Sequence, residues 1–250
     1  PAPPPTAVPA PPLARIRAVW DGNYLSAALK LIREAKTEID VVHFEWAWGE
    51  GTKEIQEALG EAAGRGVRVR VILDDEPRGS AQTIPYLENE GIDARLDESR
   101  TRIHAKIIVA DRTRVLFGST NLSPQSIRRN HETNLLVDNA EVGEAFARYA
   151  EAIRANPHES VSLPEAGAAP GAEAAGIRVF FDRAFEKALL ALLDSARTRI
   201  DLQMYGTRLY RNDSSSPSTR LFDALRRARA RGVKVRVILE RASGDWGAET

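Results

Sequence analysis

The chain has 250 residues, 43% of them hydrophobic and 28% charged, the balance of a globular protein with room for one large or two ordinary domains. Its 35 basic and 35 acidic residues cancel, so no global field draws it toward nucleic acid or anionic lipid. There is no cysteine, which excludes disulfide frameworks, zinc–thiolate sites and thiol nucleophiles, and no apolar run of about 18 residues that would read as a membrane span.

Residues 1–14, "PAPPPTAVPAPPLA", read as an extended proline-rich tether. Such a tether often follows a removed export signal or lipid anchor, and the first residue is not Met. An extracytoplasmic or membrane-associated location is therefore expected; a simple chain boundary, and a cytoplasmic location, stay open. Apolar positions at Leu25, Ala28, Leu29 and Ile32 predict a helix over 23–37, and "EIDVVHFEW" follows as a strand. "TKEIQEALGEAAGRG" reads as a helix ending at Gly64–Gly66, and "VRVRVILDD" as a strand. A helix near 80–90, a strand near 92–96, a hairpin over 102–123, a strand near 132–138 and a helix near 140–154 complete the pattern. Strands alternating with helices over 15–154 predict an α/β sandwich with a mostly parallel sheet.

Residues 155–176 lack periodicity and are rich in Ala, Gly, Pro and Glu, so they read as a linker. Beyond it the pattern restarts. "VWDGNYLSAALKLIREAKTEIDV" matches "VFFDRAFEKALLALLDSARTRIDL", and "EALGEAAGRGVRVRVILDD" matches "DALRRARARGVKVRVILER". Two blocks in the same order imply an internal duplication, with an insertion at "RNDSSSPS" in the second copy. Residues 177–250 are thus expected to be the start of a second lobe. Projecting the offset puts the counterpart of His104 at about residue 270, beyond the last residue. This segment holds 15 Lys+Arg against 9 Asp+Glu, and its "RRARARG" run suits a solvated helix end.

The hairpin "RIHAKIIVADRTRVLFGSTNLS" places polar residues where a buried strand is expected. Alternation puts Ile103, Ala105, Ile107 and Val109 on one face and His104 with Lys106 on the other. A tight turn pairing Asp111 with Arg114 would then set Lys106 opposite Ser119 and His104 opposite Asn121. One patch would present an imidazole, a cation, a hydroxyl and an amide, with Gly118 admitting close backbone approach. That set suits a phosphate. Imidazole can attack phosphorus or transfer a proton, and Lys, Ser and Asn donors can stabilise a charged transition state. Glu132 is the candidate carboxylate behind the imidazole.

"HAKIIVAD" fits His-x-Lys-x4-Asp, and with the following "GSTN" it resembles the phospholipase D superfamily. His104, Lys106 and Asp111 match its signature, Ser119 and Asn121 its Gly-Ser-x-Asn segment. Glu132 falls where small nucleases of the family place an acidic partner of the catalytic His. The resemblance covers 15–154 as a whole lobe and 177–250 as the start of another. It implies a two-step reaction without metal or other cofactor, in which one lobe's His forms a phosphohistidine and another lobe's His protonates the leaving alcohol. It further implies a second lobe in cis, or a homodimer, to complete the site. Asp111 is expected to support rather than transfer protons. Phospholipid is the leading substrate class, with peripheral membrane contact. A metal-independent nuclease acting on DNA or RNA, and a non-catalytic interaction module, are the alternatives. Among other residues, His43 alternates with Glu45 and is either packed or cleft-lining. Trp46 and Trp48 are either core or a substrate-facing rim. His131 is expected to be a bystander, and the acidic residues of "LDDEP" at 73–77 are either loop formers or metal ligands.

Overall fold

In a computed structural model that describes residues 15–99, 101–155, 177–207, 213 and 215–240, the chain divides into two compact units, Pro1–Val179 and Phe180–Thr250. The proline-rich tether, most of the linker and part of the "RNDSSSPS" insertion lie outside the described residues.

The first unit runs β1 (Arg15–Trp20), α1 (Asn23–Glu34), β2 (Glu38–His43), α2 (Thr52–Gly64), β3 (Arg68–Asp74), α3 (Arg78–Asn89) and β4 (Asp93–Asp97). It continues with β5 (Lys106–Ala110), β6 (Arg114–Gly118), α4 (Pro124–Arg128), β7 (Thr133–Asp138) and α5 (Ala140–Ala155). The strands form one sheet in the order β1-β7-β6-β5-β2-β3-β4. β2, β3 and β4 pair in parallel and the other neighbours antiparallel, so five of the seven strands run in one direction. The expected α/β sandwich with a mostly one-way sheet is what forms. Periodicity explains the layers. Ala28, Leu31 and Ile32 of α1, Ile55 and Leu59 of α2, and Leu87 of α3 pack on Ile39, Val41, Val71 and Ile108. α5 covers the opposite face.

β2 is buried along its whole length because helices cover both faces. Its two carboxylates are paired, Glu38 with Arg68 and Asp40 with Arg70. Arg70 bonds Asp40 at 2.6 Å, and Arg112 bridges Glu144 and Glu151 above them.

The β5–β6 hairpin departs from expectation by one residue. Ile107 faces Phe117 and Ala110 faces Arg114, so Asp111 lies in the turn and is not Arg114's register partner, although their side chains form an ion pair at 3.9 Å. Asp111 and Arg112 both have positive φ, 53° and 55°, and Thr113 N–H closes the turn on Ala110 O at 3.1 Å. The cause lies outside the hairpin. The Asp111 carboxylate accepts the backbone N–H of Lys36, Thr37 and Glu38 and the Thr37 hydroxyl, which fixes it under the start of β2.

The second unit contains α6 (Ala184–Ser195), β8 (Arg199–Met204), α7 (Pro217–Ala230) and β9 (Lys234–Leu239), with β8 and β9 parallel. Ser216 caps α7 by accepting Thr219 N–H, ahead of Pro217 in the first turn. Arg227 of α7 and Arg231 just beyond it both pair with Asp194. Details of the first unit recur. Asp40 faces and bonds Arg70, as Asp201 faces and bonds Arg236. Asp21 and Asp182 share φ near 46° and 48°, and Gly66 and Gly232 share φ of 87° and 89°.

Candidate active site

The carboxyl ends of β2, β3, β4 and β6 and the amino ends of β5 and β7 meet at one end of the sheet. This is where parallel strands commonly leave room for a ligand. His104 is there, exposed, but in the irregular stretch before β5 and not in the strand itself. Its ring lies 4.9 Å from that of Phe44, and Phe44 N–H bonds Ala105 O at 3.0 Å. Lys106 opens β5 and is only 8% exposed. Its ammonium donates to His104 O at 2.9 Å and sits 5.0 Å from the Phe44 ring centroid. Imidazole and cation thus share one fixed segment.

Burial lowers the Lys106 pKa to about 8, against the charges of Glu132, Glu45 and Asp74. Desolvation by the surrounding protein also lowers the His104 pKa, with Lys106 and Arg102 adding and Asp74 opposing. Glu132 is buried. Its carboxylate accepts the Ser119 hydroxyl and, at 3.2 Å, the Asn130 amide, while Ser119 Oγ accepts Thr133 N–H at 2.9 Å. Among the described residues Glu132 makes no hydrogen bond with His104; its charge acts on Lys106 and on Tyr24, whose pKa burial raises. The expected carboxylate–imidazole pair is therefore replaced by a Glu132–Ser119 pair beside the lysine.

Residues 28–154, just over half of the chain, match the family model "Cardiolipin synthase, PLD-like domain". The chain belongs to the phospholipase D superfamily. It is 38% identical over 90 residues to a mitochondrial cardiolipin hydrolase of Xenopus tropicalis, covering 36% of this chain and 43% of that protein. It is 31% identical over 101 residues to a phospholipase D of Rickettsia felis, covering 40% and 50%. The chain spans about half the length of the curated relatives it matches. Among solved structures it resembles the phospholipase D family member Nuc from Salmonella typhimurium, with a TM-score of 0.51 and 26% identity over 55% of this chain and 92% of that one.

Within this phospholipase D-like site the other expected residues fall as follows. Asn121 is half-buried, and its Oδ1 has no hydrogen-bond partner among the described residues. Gly118 is exposed, and the direction its side chain would take is filled by β7. A Cβ there would meet Thr133 O at 2.3 Å and Asn134 Oδ1 at 2.5 Å, so its missing side chain lets β7 approach. Asp111 sits at the far end of β5 from Lys106, and its role is to tie α1 and β2 to the hairpin. Against the burial that would raise it, the amides of Thr37 and Lys36 hold its pKa low.

His43 lies opposite Lys106 on the neighbouring strand but is fully buried, with both ring nitrogens unpartnered among the described residues. It is packed, not cleft-lining, and burial keeps it neutral, with Lys106 adding. Trp46 is also fully buried, because its backbone bridges to Leu122, whereas Trp48 is 53% exposed and stacks on Tyr86 at 5.3 Å. His131 is exposed and bonds Asp21, whose other oxygen accepts Glu132 N–H at 2.7 Å. Asp74 of the "LDDEP" stretch is occupied by backbone amides, and among the described residues no group of three His, Asp or Glu is arranged to hold a metal. Phe44, Asn130 and Asn134 were not anticipated. Phe44 carries no periodic or motif signal, whereas Asn130 and Asn134 lie in "SPQSIRRNHETN", a stretch that resembles single-lobe nucleases of the family.

Proposed function

We propose that the protein is a phosphodiesterase or phosphatidyltransferase acting on phospholipids, with His104 as nucleophile. The observation that carries this reading is the exposed imidazole held on the same short segment as the buried Lys106 ammonium. A neutral His104 ring nitrogen attacks phosphorus; the N–P bond forms as the P–O bond to the leaving alcohol breaks. A second acid gives that alcohol its proton. Water then attacks the phosphohistidine and passes a proton back, forming a new P–O bond and releasing neutral imidazole; an alcohol in place of water gives transfer. Lys106, Ser119 and Asn121 stabilise charge on the non-bridging oxygens. Glu132 orients the Ser119 hydroxyl and balances the lysine.

The lipid reading is supported by the matched family's description and by the name of the Xenopus relative. The exposed Trp48–Tyr86 pair, in the loop after β2 and on α3, suits a wet–apolar boundary. The second unit is read as the start of a second lobe, supported by the recurring Asp–Arg pair and turn geometry, and the second acid comes from a second lobe or a second copy. A nuclease is the second reading, favoured by Arg129, exposed beside the Asn130–Glu132 edge where a phosphate backbone would pass.

The test is incubation with cardiolipin vesicles, phosphatidylcholine vesicles and plasmid DNA, each with excess EDTA. Lipid cleavage that survives the chelator is expected. Nicked DNA with intact lipid replaces the leading reading by the nuclease, and turnover of none of the three leaves an interaction module.

A further inference from the structure

His104 lies on a stretch, residues 101–105, that belongs to no helix or strand. What holds it in place comes mostly from the ends of neighbouring strands. Asp74, the last residue of β3, is 2% exposed. One of its oxygens accepts Ile103 N–H at 2.6 Å and the other accepts Glu76 N–H at 3.1 Å. Asp97, its register partner at the end of β4, accepts Ser99 N–H at 3.2 Å, and Ser99 Oγ accepts Thr101 N–H at 3.1 Å. The Arg102–Glu76 ion pair also spans this region, but both side chains are more than half exposed, so it contributes little. The buried anchor nearest His104 is Asp74.

Hydrogen bonding alone does not require a charge at this position, because a neutral amide oxygen could accept Ile103 N–H. Burying a carboxylate is costly, and burial indeed raises the Asp74 pKa against the two amide bonds. The charged groups acting on His104 are Lys106 and Arg102 from its own segment and Asp74 from β3. Those acting on Lys106 are Glu132, Glu45 and Asp74. Asp74 is the carboxylate common to both.

We propose that Asp74 is a positioning residue of the site: its buried carboxylate fixes the backbone that carries His104 and places a negative charge beside His104 and Lys106. This deepens the reading above and rests on His104 being the reacting group.

The test follows each His104 imidazole by NMR pH titration in the full chain, the signal being assigned by its loss in His104→Ala. Asp74→Asn keeps the shape and one acceptor but removes the charge. His104 in that variant is expected to titrate at lower pH than in the wild type. Both limbs of the pH profile for hydrolysis of bis(4-nitrophenyl) phosphate are expected to move the same way. Asp74→Ala, which also removes the anchor, should lose about a hundredfold in kcat with KM little changed. If Asp74→Ala does not fold, Asp74→Asn decides alone. A His104 titration in Asp74→Asn that coincides with the wild type overturns the proposal. Full activity in His104→Ala instead overturns His104 as the reacting group, and the two failures are told apart because the titration needs no turnover.

Discussion

In the proposed reaction His104 and Lys106 divide the chemistry between a group that must be neutral and one that must be charged. Neutral His104 attacks, so kcat/KM falls as pH drops through its pKa, which lies below the ordinary imidazole value. Charged Lys106 stabilises the transition state, so activity falls again as pH rises through about 8. The expected profile is a bell extending further into acid than an exposed histidine would allow. Lys106→Arg keeps a positive charge that does not titrate below about pH 12. Its residual activity should lack the alkaline limb, and a limb still near pH 8 would remove Lys106 from this role. His104→Ala should keep the native far-UV circular dichroism while losing at least a hundred- to ten-thousandfold in turnover, the range for a lost proton-transfer group and a lower bound for a nucleophile.

At the scale of elements, the β5–β6 hairpin depends on contacts made beyond itself. Asp111→Ala would strip one acceptor from three backbone amides and the Thr37 hydroxyl. A loss of about 2–3 kcal/mol in urea unfolding is expected, with much smaller effects on turnover, because the residue lies at the far end of β5. The folded pKa of Asp111 is depressed, so this contribution is complete above the unfolded value of about 3.9 and disappears as pH falls through the folded value. The difference between wild type and variant should accordingly narrow in acid. Gly118→Ala should cost about 1–3 kcal/mol, read as a lowered Tm, because the atoms it meets are backbone and a buried Asn of β7. The same contacts explain what the sequence could not say. Periods of 3.6 and 2 made most helices and strands of 23–155 legible, the short α4 excepted, and the spacing of His104, Lys106, Ser119 and Asn121 singled out the candidate site. The one-residue shift of the hairpin was not legible, because its turn is set by residues 36–38, more than 70 positions away. β1 was missed because Arg15–Trp20 is a mostly exposed strand at the sheet edge, paired through β7. Glu132 was named by position as the imidazole's carboxylate, whereas in the fold its carboxylate accepts from Ser119 and Asn130, which only the tertiary structure brings to it.

At the scale of the whole molecule, the proposed reaction asks for two proton-handling groups, and His104 is one of them. The second unit repeats the α–β–α–β start of the first, down to the Asp–Arg pair between its two strands. In the first unit the equivalent strands β2 and β3 are flanked by β5 and β4. β8 and β9 have no such neighbours among the described residues, and Val237, Ile238 and Leu239 of β9 are 40%, 65% and 45% exposed. On the proposed mechanism the second group comes from a second lobe or from a second copy of the chain. Light scattering on fractions assayed for phosphodiester cleavage connects this to the chemistry. Activity confined to dimeric fractions means that two first units share a site, each providing a His104. A mixture of inactive His104→Ala chains with wild type should then lose activity faster than the wild-type fraction falls. Full activity in a strict monomer, unaffected by such mixing, would show that one His104 serves both steps and would remove the two-histidine account.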